Sequence, residues 1–141
     1  MTTHVLDTSV AIAWYLPEAF SVAARRWQVK LLRDEVNLCV PSLHYWEFAN
    51  VLRTYVRRGE LEQELAEEIY GLHLEAPLVI MEPERMQTLK RAFEFTATMY
   101  DAVYIALCLS LDAPFVTAER TTTPWVVKLG DRIRSVSVAS P

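Results

Sequence analysis

Four carboxylates stand in apolar company, and their type and placement suggest chemistry. Asp7 directly follows His4-Val5-Leu6 and precedes Thr8-Ser9. Glu47 lies inside Leu43-His44-Tyr45-Trp46-Glu47-Phe48-Ala49, flanked by bulky aromatics. Asp101 opens the run Ala-Val-Tyr-Ile-Ala-Leu-Cys-Leu, which is apolar all round, and Glu119 ends Phe115-Val116-Thr117-Ala118. If the four converge, their repulsion needs an answer: two unit charges about 4 Å apart cost on the order of 4 kcal/mol at an effective dielectric near 20. Protonation relieves one or two of them. A hard dication relieves all of them, and an oxygen-only donor set without Cys or His selects Mg²⁺ or Mn²⁺. Such a centre suits phosphate-ester hydrolysis.

The elements that must position these acids follow from local pattern. Short β-type runs alternate with helical stretches, the rhythm of an α/β domain with a mostly parallel sheet. The expected strands are His4–Leu6, Leu38–Val40, Leu78–Met81, Phe115–Thr117 and Ile133–Val138. The expected helices are Thr8–Leu16, Pro17–Arg33, Ser42–Arg58, Glu60–Leu74, Glu84–Phe95, Met99–Leu111 and a short one over Thr123–Lys128. Asp7 and Glu119 then lie at strand exits, where open α/β sheets bind ligands. Each acid also has a structural alternative. Asp7 and Glu119 could cap the following segments. Asp101 could reach back to Thr98 in a capping box. Glu47 shares a polar stripe with His44, Asn50 and Thr54 that could face water. Leu61, Leu65, Ile69 and Leu72 recur at helical spacing, as one apolar stripe facing the core or a twin subunit.

Composition bounds the rest. At 141 residues, with 52% hydrophobic and 23% charged residues, the chain reads as one globular domain over residues 1–141. Cys39 and Cys108 are far apart in apolar surroundings and read as buried free thiols of a reducing compartment. No leader-like start and no run of about 18 to 20 apolar residues is visible, so the expectation is a soluble cytoplasmic protein with no membrane partner. The net charge of −4 argues against a nucleic-acid binder when taken alone. Eight of the 18 acids fall between Glu60 and Glu84, however, and the rest of the chain has a surplus of bases. His4, His44 and His73 share no metal spacing and read as structural, and the four Trp residues read as core or interface. Asp7-Thr8-Ser9 lacks the second aspartate of a haloacid-dehalogenase-type phosphatase, and no Gly-rich phosphate loop or G-x-S-x-G elbow occurs.

Taken in order, Val5-Leu6-Asp7-Thr8-Ser9, Pro41-Ser42 with Glu47-Phe48-Ala49-Asn50-Val51-Leu52, Tyr100-Asp101-Ala102-Val103-Tyr104-Ile105-Ala106-Leu107 and Val116-Thr117-Ala118-Glu119-Arg120 resemble the motifs of PIN-domain ribonucleases. The resemblance is greatest to the VapC toxins of prokaryotic VapBC toxin–antitoxin pairs, and it spans essentially the whole chain. It implies a three-layer α/β/α sandwich, a central parallel sheet of five strands and an acidic pocket at the strand C-termini. Asp7, Glu47 and Asp101 match the family's first three acidic positions, and Asn50 matches a polar residue common in that helix. Glu119 stands where the family usually has Asp, one methylene shorter. Thr8, Ser9 and Thr117 would be supporting hydroxyls beside the acids.

The implied activity is that of a Mg²⁺- or Mn²⁺-dependent endoribonuclease, with Asp7, Glu47, Asp101 and Glu119 holding metal and leaving a 5′-phosphate and a 3′-hydroxyl. Arg120, next to the acidic cluster, is the first candidate for holding the RNA backbone, ahead of Arg53, Arg57 and Arg58. The resemblance also implies a homodimer inhibited by a cognate antitoxin. The rival reading is a catalytically weak or inactive binding module of the same fold that keeps the antitoxin contact, and the departure at Glu119 sustains it.

Overall fold

The structure is a computed structural model that describes residues 1–137. Five strands, β1 (Thr2–Leu6), β2 (Val36–Val40), β3 (Val79–Ile80), β4 (Phe115–Thr117) and β5 (Ile133–Ser135), form one sheet in the order β3-β2-β1-β4-β5. Every pairing is parallel. The helices are α1 (Thr8–Ile12), α2 (Ser21–Leu32), α3 (Leu43–Arg57), α4 (Gln63–Leu74), α5 (Arg85–Phe95), α6 (Met99–Leu111) and α7 (Pro124–Leu129). A parallel sheet needs helical cover on both faces, and its strands must bury alternate residues into two layers. The chain obeys this. Val5 and Phe115 pack with Tyr104, Ile105, Cys108 and Trp125 on one side. Leu6, Leu38, Val40 and Val116 pack with Val10, Ala24, Phe48 and Ile69 on the other.

The strand order also places the site. The chain winds outward from β1 to β2 to β3, then returns to lay β4 and β5 on the opposite flank. Winding therefore reverses between β1 and β4, and the space beyond their carboxyl ends is the crevice where open α/β sheets bind ligands. Leu6 pairs with Val116, so Asp7 and Thr117 emerge side by side, with the Asp7 N–H donating to the Val116 carbonyl at 2.9 Å.

Several elements differ in extent from expectation. The helix expected over Thr8–Leu16 ends at Ile12, because Trp14 and Tyr15 tighten into three-residue turns on Ala11 and Ile12. The Trp14 indole N–H then donates to the Ala24 carbonyl at 2.8 Å and ties the turn to α2. The next helix begins at Ser21 rather than Pro17, since the Ser21 hydroxyl accepts the Glu18 N–H at 2.8 Å and fixes a turn there. At the sheet edge, β3 keeps only Val79–Ile80, paired with Cys39 and Val40 and exposed on its outer side. The last strand stops at Ser135, and Val138 lies outside the described residues.

The apolar stripe of α4 does not bury as one face. Ala66, Ile69 and His73 turn inward, whereas Leu65 and Leu72 are 47% and 61% exposed. Trp46 is exposed too, unlike buried Trp14 and Trp125. Cys39 and Cys108 are buried free thiols as read from the sequence. No single helix among the described residues is long and apolar enough to cross a membrane.

Candidate active site

Three of the four acids arrive at the crevice on different elements. Asp7 sits between β1 and α1 with extended backbone angles, and its side chain makes no bond to the start of α1. Its Oδ2 instead accepts the Thr117 hydroxyl from the end of β4 at 2.7 Å. The capping alternative for this carboxylate therefore fails. Glu47 projects from the second turn of α3, half-buried, and its Oε1 accepts the hydroxyls of Tyr104 at 2.7 Å and Thr8 at 3.1 Å. Asp101 lies on the first turn of α6, where its backbone N–H donates to the Thr98 hydroxyl at 3.1 Å. Only half of a capping box is made among the described residues, because no bond returns from the Asp101 carboxylate to the Thr98 N–H.

The electrostatics follow from burial without a counter-charge. Burial pushes the Asp7 carboxyl up to about 6, and repulsion from Glu47 and Asp101 adds to it against the pull of the Thr117 and Ser9 hydroxyls. Glu47 is raised by burial and by Asp101, against the bonds from Tyr104 and Thr8. Asp101 is raised by burial and then by Glu119, against the bond from the Thr98 hydroxyl. Each acid thus feels another's charge. Among the described residues the salt bridges are Arg91–Glu94 and Arg132–Asp112, so no base neutralises the crevice.

Glu119 is differently employed. Its Oε1 accepts the Thr123 hydroxyl at 3.0 Å and the Arg120 N–H at 3.2 Å, which ties it into its own turn. Its backbone N–H donates to the Thr117 hydroxyl at 3.0 Å, so Thr117 links it to Asp7. Ser9 accepts the Ala118 N–H at 3.3 Å and helps lock the two strand exits together. Arg120 is exposed beside Glu119, and Asn50 is exposed one turn beyond Glu47, where its carbonyl accepts the Thr54 hydroxyl. The polar stripe proposed for α3 is therefore split, with His44 fully buried and Asn50 in solvent.

Sequence reasoning passed over Tyr104. Its buried hydroxyl bridges Glu47 and Thr8, and burial together with the Asp7 and Glu47 charges raises its pKa strongly. A signal was available: a phenol three residues after Asp101 on an all-apolar helix must find a partner for its hydroxyl.

Carboxylates and hydroxyls are brought together here, and burial with neighbouring carboxylate charge raises Asp7, Glu47 and Asp101, so the donor set suits a hard dication. No group of three or more His, Cys, Asp or Glu side chains among the described residues is gathered at metal-binding spacing. The fit is one of donor chemistry. The PIN-domain family model matches residues 4–121, which includes all four acids. The chain belongs to the PIN-domain family. Its five-stranded parallel sheet under helices on both faces is the α/β/α architecture that the sequence resemblance implied. No curated protein sequence matches this PIN domain. Among solved structures it is similar to PAE2754 from Pyrobaculum aerophilum, with a TM-score of 0.73 at 21% identity, over 94% of this chain and 83% of that one. It is also similar to VapBC2 from Rickettsia felis, a complex bound to a DNA fragment from its promoter. That match has a TM-score of 0.64 at 12% identity, over 96% and 98% of the two chains. A third is Mycobacterium tuberculosis VapC20, a sarcin–ricin loop cleaving toxin, with a TM-score of 0.61 at 16% identity, over 92% and 95%. At such identities these likenesses speak for the PIN fold.

Proposed function

We propose that this PIN domain is a single-domain, Mg²⁺- or Mn²⁺-dependent endoribonuclease of the VapC type, the toxin of a toxin–antitoxin pair. The observation that carries the reading is the gathering of Asp7, Glu47 and Asp101 at the switch point of the sheet, each raised by burial and by a neighbouring carboxylate, and none salt-bridged to a base among the described residues. Asp7, Glu47 and Asp101 would hold the ion, with Glu119 completing the set. The chemistry such an ion supplies when bound is a water acidified for in-line attack on phosphorus and relief of charge on the departing oxygen.

The chain's own groups do the rest. Thr117 and Ser9 fix the Asp7 carboxylate, and Thr8 and Tyr104 fix that of Glu47. Arg120, exposed beside Glu119, would pair with a backbone phosphate. Purified protein incubated with structured RNA tests the reading. Cleavage that requires Mn²⁺ and stops with EDTA supports it, and metal-independent cleavage or none contradicts it.

The binding-module reading keeps one specific observation, the engagement of Glu119 with Thr123 and Arg120. Glu119 variants separate the two. Glu119→Asp should stay active and Glu119→Gln should lose more, since only the latter removes the charge. Equal rates for wild type and both variants would remove position 119 from the metal set.

The partners proposed are an RNA substrate, a cognate antitoxin and a second copy of the chain. Two of the structural relatives are a VapBC complex and a VapC toxin, which supports the antitoxin. The exposed Leu65 and Leu72 of α4, with Trp46 of α3, supply apolar surface suited to self-association. Sedimentation should report a dimer; a concentration-independent monomer would remove that part.

A further inference from the structure

Behind Glu47 the polar groups continue into the core. Thr8 Oγ1 lies 2.8 Å from the Tyr104 hydroxyl and 3.1 Å from His44 Nδ1. His44 Nε2 lies 2.8 Å from His73 Nε2, and His73 Nδ1 lies 3.0 Å from the Tyr15 hydroxyl. Both imidazoles are completely buried. His73 is stacked on Phe48 with ring centroids 4.1 Å apart. The members come from α1, the turn after it, α3, α4 and α6, so five separate segments meet to build one line.

The donor inventory fixes its direction. An ionised carboxylate only accepts, so Tyr104 spends its one proton on Glu47 Oε1. Thr8 likewise directs its proton to Glu47 or to the Tyr104 oxygen, and turns a lone pair to His44. His44 must then carry its proton on Nδ1 and leave Nε2 bare. His73 in turn donates from Nε2, and its bare Nδ1 accepts from Tyr15. Two rings meeting at 2.8 Å cannot both donate, which excludes a doubly charged pair. Burial holds both rings neutral near pH 7, lowering His44 to about 3 and His73 to about 4.

We propose that His44, His73 and Tyr15 are positioning residues for Glu47, forming with Thr8 and Tyr104 one hydrogen-bond chain whose every donor points toward the Glu47 carboxylate. Aligned donors polarise one another, so the chain strengthens the two bonds that orient the carboxylate. For its metal readout alone, the inference rests on Glu47 belonging to the proposed metal set.

The test begins without metal. In ¹⁵N-histidine-labelled protein at pH 7, long-range ¹H–¹⁵N spectra should show His44 protonated on Nδ1 and His73 protonated on Nε2. The opposite pattern, or a charged ring, would overturn the proposal. Tyr15→Phe, which deletes only the terminal hydroxyl, should leave both tautomers unchanged, because direction is set at the Glu47 end; scrambled tautomers would contradict that. Mn²⁺ affinity is then read by electron paramagnetic resonance in the absence of RNA. His73→Leu should weaken it by roughly 10-fold, in the range expected for partners behind metal ligands. His73→Gln, whose amide can still donate to His44 Nε2, should recover most of that loss. Wild-type affinity in a folded His73→Leu would overturn the positioning role. The tautomer readings need no metal, so they fail or succeed separately from the nuclease reading.

Discussion

Asp7→Asn is expected to melt roughly 5–10 °C higher than wild type at pH 7.5 without metal, while losing metal-dependent RNA cleavage. The reason lies in the sign of the linkage. The Asp7 carboxyl titrates at about 6 in the folded chain, against about 3.9 when unfolded. Between those values the folded state binds more protons than the unfolded state, so stability falls as pH rises through that window. Above it the penalty is fully present and amounts to at most about 3 kcal/mol. Asparagine carries no charge, and its amide oxygen can still accept the Thr117 hydroxyl that Oδ2 accepts now. Wild type and variant should therefore converge near pH 4 and separate above pH 6. Thermal melts across that range check it; a variant less stable than wild type at pH 7.5 would show that the carboxylate is structural.

Mn²⁺ should produce the second large effect. At about 100 times its dissociation constant it should stabilise wild type by roughly 2.7 kcal/mol. In a domain of this size that is a rise of roughly 5–10 °C. Asp101→Asn should show much less of it and should melt no lower than wild type without metal. The substitution keeps the bond that the Asp101 backbone N–H makes to the Thr98 hydroxyl, and the asparagine oxygen can still accept from the Thr98 hydroxyl that the carboxylate meets now. Substitution there removes charge from a site already raised by burial and by Glu119. A fall of several degrees in Asp101→Asn, with both proteins indifferent to Mn²⁺, would restore the capping role and remove the metal site.

The sequence made the sheet legible and left the polar interior largely hidden, for physical reasons. Val5 and Leu6 face opposite layers, as do Phe115 and Val116, and such short apolar runs between helices announce buried parallel strands. The edge strand β3 was overdrawn because an apolar run such as Leu78–Met81 does not say how much backbone a single neighbour will pair. On α4 the helical period holds, and the apolar stripe divides between an inward and an outward face. Small Ala66 and polar His73 share the buried side with Ile69, while Leu65 and Leu72 look outward.

At the site, Asp7, Glu47 and Asp101 were readable because charge among apolar residues is conspicuous. Their supports were not. Thr117 reaches Asp7 from 110 positions away, and Tyr104 reaches Glu47 from 57. His44 and His73 looked structural because no local spacing joins them; only the packing of α3 against α4 brings their rings together. Glu119 was read as an acid of the set, and its bonds to Thr123 and Arg120 give it a second employment in the turn.

The acidic crevice is expected to hydrolyse RNA. Sequencing of RNA ends that carry a 5′-phosphate, after induction of the chain and of Asp7→Asn in parallel, tests it most directly. A discrete set of new 5′-phosphate ends is expected in cells expressing wild type, absent with Asp7→Asn at equal protein level. The same ends in both cultures, or none in either with folded protein present, would contradict it.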